Sequence, residues 1–321
     1  MKKILMRVLA LTMTAVMIVS LAGCESKSNE RVVRLSWNIS YGSVMQCIMK
    51  EKGILEKYVP EDVTIEWSHV EGATEIRDAA VAGKLDIAAV SLSTFVSSYE
   101  NGFPFTLLSY DGASLVNLYS NDPQITTIDD FTENSRIAIV NKSGYLYMAF
   151  LAYCKENLGD AMIYDNLLTP IPAADAIASL QTSKDFNGAV FQFPALIQAE
   201  EIEGVTLIAD FTDIIKEYGF GSVFFTNSDY YEKNPDIVEA FYKAQDETLQ
   251  FIKDNTEETA QILSEIFEVE ADKIVEALQK MPPQKEMVGY DKQAQLMYEA
   301  GILEKEPTKL ADLPNYDKIP K

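Results

Sequence analysis

The sequence predicts an α/β chain of two lobes with largely parallel strands. Three observations predict it. Short apolar or β-branched runs alternate with helical segments from residue 31 to about residue 226, the pattern of strands joined by crossover helices. The 321 residues, 47% of them hydrophobic, suffice for about two lobes of ordinary domain size. The stretch Ile137-Ala138-Ile139-Val140-Asn141-Lys142-Ser143-Gly144-Tyr145-Leu146 reads as a strand buried on both faces, a tight polar loop and the first turn of a helix. Gly144 permits close backbone approach there. The N–H groups of the following helix favour a polar or anionic group. This stretch is half of a candidate ligand cleft.

The N-terminus has the plan of a secretory signal. Lys2, Lys3 and Arg7 form its positive region, residues 8–19 its apolar core, and Leu21-Ala22-Gly23-Cys24 follows at once. Leu-Ala-Gly-Cys resembles the bacterial lipobox. That resemblance implies removal of residues 1–23 as a lipoprotein signal peptide, lipid on the sulfur and amino terminus of Cys24, and a lipidated tether over residues 24–31. The alternative is a plain signal peptide with a chance cysteine. No later apolar run approaches the roughly 20 residues of a spanning helix. The mature body is therefore expected outside the cytoplasm, lipid-anchored to the outer face of the cell membrane.

The formal charge of the full chain is −22. Residues 1–23 carry three cations and no acid, so their removal leaves −25. Such a surface repels nucleic acid and anionic lipid, so attachment falls to the lipid rather than to surface charge. Cys47 and Cys154 lie in apolar helical contexts and are read as two buried free thiols in preference to a disulfide. His69 is the single histidine, and no Cys/His cluster has metal-ligand spacing. No metal and no cofactor is expected.

In chain order, residues 31–37 alternate as a first strand, and the loop 38–42 leads to a helix that ends at Gly53. Ser43 and Gln46 have capping-box spacing at its start. Strands are expected at 63–67, 85–90, 105–110 and 114–119, with helices over 73–82 and after the polar turn 91–94. Residues 127–131 form a capped turn before the strand 137–140, and a helix follows from Tyr145 to about Glu156. Residues 174–180 form a short helix, and the strand 188–191 delivers Gln192-Phe193-Pro194. Strands at 205–208 and 222–226 follow. Asn234-Pro235-Asp236 starts a long helix: N-cap, proline at the first position, acid in the first turn. Helical hairpins broken at Met281-Pro282-Pro283 complete the chain.

Several blocks, in this order and spacing, resemble the substrate-binding proteins of ABC importers of the nitrate/sulfonate/taurine type, a group that includes thiamine-pyrimidine binders. They are Lys52-Gly53-Ile54-Leu55-Glu56, Ala82-Gly83-Lys84-Leu85-Asp86-Ile87, Thr127-Ile128-Asp129-Asp130-Phe131, Tyr230-Tyr231-Glu232-Lys233-Asn234-Pro235 and Met297-Tyr298-Glu299-Ala300-Gly301-Ile302-Leu303. The resemblance implies a periplasmic-binding-protein-like (type II) fold: mixed sheets, a cleft between lobes and hinge closure. Lobe 1 would take residues 32–117 and 225–321, including the C-terminal helices, and lobe 2 residues 118–224. It also implies a monomer that delivers a small molecule to an ABC permease driven by a separate ATPase. Relatives often carry a Trp-rich strand end where this chain has Phe191-Gln192-Phe193-Pro194, so the ligand need not be theirs.

Ligands of open α/β sheets sit beyond the carboxyl ends of the strands. Four loops fit, and they offer Trp37, Asn38, Ser40, Tyr41, Ser91, Ser93, Thr94, Lys142, Ser143, Gly144, Tyr145, Phe191, Gln192 and Phe193 as ligand-binding candidates. Each has a plainer role: Ser43, Ser91, Ser93 and Thr94 as helix caps, Trp37 as core, Lys142 as a solvated lysine. Asp111 precedes Gly112 as a turn former; facing the cleft, it would favour a cationic amine. No arginine stands in these loops, which weakens the case for a doubly charged anion. The expected function is capture of a small polar organic molecule for import. A ligand-sensing lipoprotein without transport is the alternative. An enzyme resembling the yeast-type thiamine-pyrimidine synthases would be expected to require a site histidine and a cysteine-rich segment, and no catalytic residue is assigned.

Overall fold

The computed structural model describes residues 31–182 and 185–321, with the backbone alone at Tyr41. The expected signal peptide, Cys24 and the tether up to residue 30 lie outside the described residues. The chain runs β1 (Arg31–Trp37), α1 (Val44–Glu51), β2 (Val63–His69), α2 (Ala73–Val81), β3 (Ile87–Ser91), α3 (Leu92–Glu100), β4 (Phe105–Gly112) and β5 (Val116–Ser120). It continues with β6 (Ile137–Ile139), α4 (Tyr145–Leu158), β7 (Leu168–Pro170), α5 (Ala173–Thr182), β8 (Gly188–Gln192), α6 (Ala195–Glu200), β9 (Thr206–Asp210) and α7 (Thr212–Tyr218). It closes with β10 (Ser222–Asn227), α8 (Ser228–Lys233), α9 (Pro235–Asp254), α10 (Thr256–Phe267), α11 (Ala271–Lys280) and α12 (Tyr290–Glu299).

The strands form two five-stranded sheets, β2-β1-β3-β10-β4 and β7-β6-β8-β5-β9. Both are mixed by the same device. In the first, β1 runs parallel to β2 and β3, and β10 is antiparallel to β3 and β4. In the second, β6 runs parallel to β7 and β8, and β5 is antiparallel to β8 and β9. β3 is buried along Ile87–Val90 and β4 along its whole length, as strands covered on both faces by helices must be. The aromatic residues of β10 anchor it on two sides: Phe225 meets Phe105 at 4.7 Å, and Phe224 meets Phe241 of α9 edge-on at 4.9 Å.

The chain passes from the first sheet to the second over residues 113–115, slightly ahead of the expected 117/118 boundary, and returns over residues 219–221, ahead of the expected 224/225 boundary, because the whole of β10 belongs to the first sheet. The expected strands are present with ends shifted by at most two residues. β7, α7 and α8 carry too little periodicity to be read from sequence. The capping box at Ser43 does not form: Ser43 makes no side-chain cap, because its hydroxyl donates to Asn38 Oδ1 at 2.7 Å and Gln46 turns to Asp111. Asn234 does not cap by its side chain either; Pro235 at the first position starts α9. The capped turn at 127–131 does form, with the Asp130 carboxylate accepting from Thr126 N at 2.8 Å and Thr127 N at 2.9 Å.

The last helix braces both halves. α12 packs on α3 of the first lobe and on α4 and α7 of the second. Lys155 of α4 pairs with Glu299 at 2.5 Å, and Lys292 lies against Glu217 and Glu156. At the start of α12 two backbones touch. Gly219 has φ +62°, and a Cβ there would meet Val288 O at 1.8 Å. No rotamer relieves a contact with backbone, so Gly219→Ala is expected to destabilise the fold by at least about 1–3 kcal/mol, the usual cost of overpacking. Equilibrium urea unfolding checks this; an unchanged midpoint and slope would contradict the close passage.

Candidate functional site

The carboxyl ends of the parallel strands in both sheets face one another across a cleft of about 360 Å³. Asn38, Ile39, Ser40 and Gly42 line it from the loop after β1, and Ser91 and Thr94 from the β3–α3 junction. The opposite wall is Val140, Asn141, Ser143, Gly144, Tyr145 and Leu146 at the β6–α4 junction, with Gln192 at the end of β8. The floor is the pair of crossings, through Ser114, Gly221 and Ser222.

Local hydrogen bonding fixes each wall. Ser91 is the N-cap of α3, its Oγ accepting from Thr94 N at 3.2 Å, and its hydroxyl also meets those of Ser93 at 3.0 Å and Thr94 at 2.8 Å. Capping and lining the cleft are therefore compatible at Ser91 and Thr94. Across the cleft Asn141 folds over its own loop. Its Oδ1 accepts from Ser143 N at 3.0 Å, from Gly144 N at 2.6 Å and from the Ser143 hydroxyl at 3.3 Å. A Cβ at residue 144 would stand 2.9 Å from that oxygen, which is why glycine fits there. The Tyr145 hydroxyl donates to Ser114 O at 2.9 Å, tying the start of α4 to the first crossing, and burial pushes its phenol pKa up.

Asn38, Ser40, Ser91, Thr94, Ser143, Gly144, Tyr145 and Gln192 of the predicted set thus come together at the cleft. Five others do not. Trp37 packs on His69, ring centroids 4.7 Å apart, beneath Lys50 Nζ at 4.8 Å. Ser93 is buried against Ser91. Lys142 turns away to Asp165, bonding its Oδ2 at 2.7 Å and its carbonyl at 3.0 Å. Phe191 is core, facing Tyr119 at 6.3 Å. Phe193 is fully buried edge-on to Phe267 of α10 at 6.3 Å, so it joins the second lobe to the C-terminal helices. The Tyr41 side chain lies outside the described residues.

A fifth loop was missed. β2 runs on to His69, two residues beyond its predicted end, so Glu71, Gly72, Ala73 and Ile76 enter the cleft wall by the same strand-end rule. Glu71 is the one charged side chain among the described residues lining the cleft. Its Oε1 lies 2.6 Å from His69 Nε2 and 3.4 Å from Ile39 N.

Asp111 does not line the cleft. It is fully buried, with Gln46 Nε2 donating to its Oδ2. Oδ1 and Gln46 Oε1 are both without a partner among the described residues. Burial pushes the carboxyl well above its ordinary range. A neutral carboxyl has one proton to place, and Gln46 Oε1 is the unsatisfied acceptor on the same partner. Cys47 and Cys154 are buried and form no disulfide, and burial pushes both thiols up to about 12.

The Asp111 shift sets a pH dependence. A carboxyl whose folded-state pKa is raised contributes stability that is complete below the ordinary value near 3.8 and is lost as pH rises through the folded-state value. Asp111→Asn keeps the shape and removes the titration. Its melting temperature should exceed that of the wild type by a margin that grows from about pH 4 upward, read from thermal melts across the pH range. A constant margin would show that Asp111 is ionised in the fold.

The NMT1-like family has a sequence model that matches residues 26–143. The periplasmic aliphatic sulphonate binding protein SsuA of Escherichia coli is similar in structure at a TM-score of 0.72 and 18% identity, over 90% of this chain and 98% of that one. The ligand-binding component of an ABC-type import system from Staphylococcus aureus matches at 0.72 and 14%, over 90% and 99%. The periplasmic nitrate-binding protein NrtA from Synechocystis matches at 0.63 and 16%, over 90% and 86%. A search of curated proteins finds no match. At these identities the likeness establishes the fold, the two-lobed α/β arrangement of periplasmic binding proteins.

Proposed function

We propose that this chain is an extracytoplasmic solute-binding lipoprotein that captures a small polar organic molecule between its lobes and delivers it to an ABC permease powered by a separate ATPase. One observation carries the reading: a single cleft is walled by the strand ends of both sheets and floored by the two chain crossings. A ligand there touches both lobes at once, so binding and closure are coupled. The fold shared with binding components of import systems supports the same reading.

Apart from Glu71, the contacts belong to uncharged groups. Asn38, Ser40, Ser91 and Thr94 act from one side, and Asn141, Ser143, Tyr145 and Gln192 from the other, with Ser114 and Ser222 beneath. The Gln192 side chain stands in the cleft wall at the end of β8, placed to bond a ligand. Lobe closure removes these groups from water, where a hydrogen bond left unmade costs about 1–3 kcal/mol, so the fit selects among polar ligands.

A thermal-shift screen of the full chain over sulfonates, amines, amino acids, pyrimidines and flavins tests solute capture. A ligand at one hundred times its Kd stabilises by about 2.7 kcal/mol. One class should raise the melting temperature with one molecule bound per chain. Turnover of a compound with no stabilisation by any would contradict capture. The lipid anchor follows from Leu21-Ala22-Gly23-Cys24. In a bacterial host the wild type should fractionate with membranes and Cys24→Ser should be released; equal retention of the variant would contradict lipidation at Cys24.

A further inference from the structure

We infer that the cleft takes an organic cation, a protonated amine or amidine with Glu71 as its counter-ion, in preference to sulfonate- and nitrate-like anions. The inference rests on solute capture in the interlobe cleft.

An anion in such a cleft needs cationic side chains or bare N–H groups at a helix start. The side chains are absent among the described residues, and the N–H groups are engaged in part. No lysine or arginine lines the cleft among the described residues. The nearest loop cation, Lys142, is held by Asp165 Oδ2 at 2.7 Å and by the Asp165 carbonyl at 3.0 Å. At the mouth of α4, Asn141 Oδ1 already occupies the N–H groups of Ser143 and Gly144. At the mouth of α3, Ser91 Oγ occupies that of Thr94. Ser91 thus caps α3 from within, whereas the N-cap of α4, Gly144, receives no side-chain cap and Asn141 engages only the two N–H groups that precede that helix.

What remains open has the opposite sign. Glu71 Oε2 has no partner among the described residues; Oε1 meets His69 and Ile39 N. The Gln192 amide and the Ser222 hydroxyl add acceptors, and Tyr145 adds an aromatic wall of the kind that favours cations. The chain's formal charge of −22 repels anions and concentrates cations near the mouth. His69, whose Nε2 lies 2.6 Å from Glu71 Oε1, packs on Trp37 and does not line the cleft.

Calorimetric titration of the full chain in non-ionic detergent separates the possibilities. The probes are choline, agmatine and benzamidine as cations, benzamide as the neutral isostere of benzamidine, and ethanesulfonate and nitrate as anions. A cation should bind, and Glu71→Gln should weaken it about tenfold, which corresponds to about 1.4 kcal/mol. Benzamide should be unaffected by that change. Asn141→Ala, which bares the Ser143 and Gly144 N–H groups, should admit ethanesulfonate where the wild type does not. Binding of ethanesulfonate or nitrate to the wild type, or cation binding indifferent to Glu71→Gln, overturns the inference and leaves solute capture standing. Silence toward every probe overturns the inference, and silence across the wider thermal-shift screen as well overturns solute capture itself.

Discussion

The two lobes depend on one tight passage of backbone past backbone. Where the chain returns to the first sheet, Gly221 lies so close to β4 that a Cβ would meet Gly112 O and the Tyr110 hydroxyl at 2.2 Å each. The Tyr110 hydroxyl donates to Phe220 O at 3.0 Å, and Leu92 N donates to Gly221 O at 2.9 Å. This seats β10 in the slot between β3 and β4, so the last strand of the chain completes the first sheet. β5 fills the corresponding slot of the second sheet. Each lobe thus contains a strand placed there by a crossing, and the crossings become the floor of the cleft.

The walls then follow from parallel-strand geometry. β1, β2 and β3 end at one edge of their sheet, and β6 and β8 end at the facing edge of theirs, so polar loop residues converge without being near in sequence. The character of the cleft comes from what those loops do with their own donors. Ser91 caps α3, Asn141 engages the two N–H groups ahead of α4, and Asp165 holds the one loop lysine. A shared fold with sulfonate and nitrate binders therefore does not carry their ligand chemistry to this chain.

Much of the fold was legible in the sequence because it rests on local signals. The apolar runs of β3, β4 and β8, Pro235 at the start of α9 and the Thr127–Asp130 capping box each need only neighbouring residues. β7, three residues ending in Pro170, and α7, with one apolar pair, had no such signal. In the site, the strand-end rule found Asn38, Ser40, Ser91, Thr94, Ser143, Gly144, Tyr145 and Gln192. It failed where a partner distant in sequence decides the outcome. Lys142 is taken by Asp165, Phe193 by Phe267, and Gln46 by Asp111 rather than by the cap at Ser43. Glu71 was missed because β2 pairs with β1 two residues beyond its own pattern, at Trp37 and His69.

The proposed occupant of the interlobe cleft is one small, positively charged solute. Native mass spectrometry of the full chain, released from detergent directly after gentle purification from its own cells, tests it without prior choice of ligand. On that proposal a single non-covalent adduct per chain is expected, of a size suited to a cleft of about 360 Å³, which dissociates on activation as a cation. A chain that carries no adduct at any stage of purification, or one that releases a sulfonate or another anion, would contradict it.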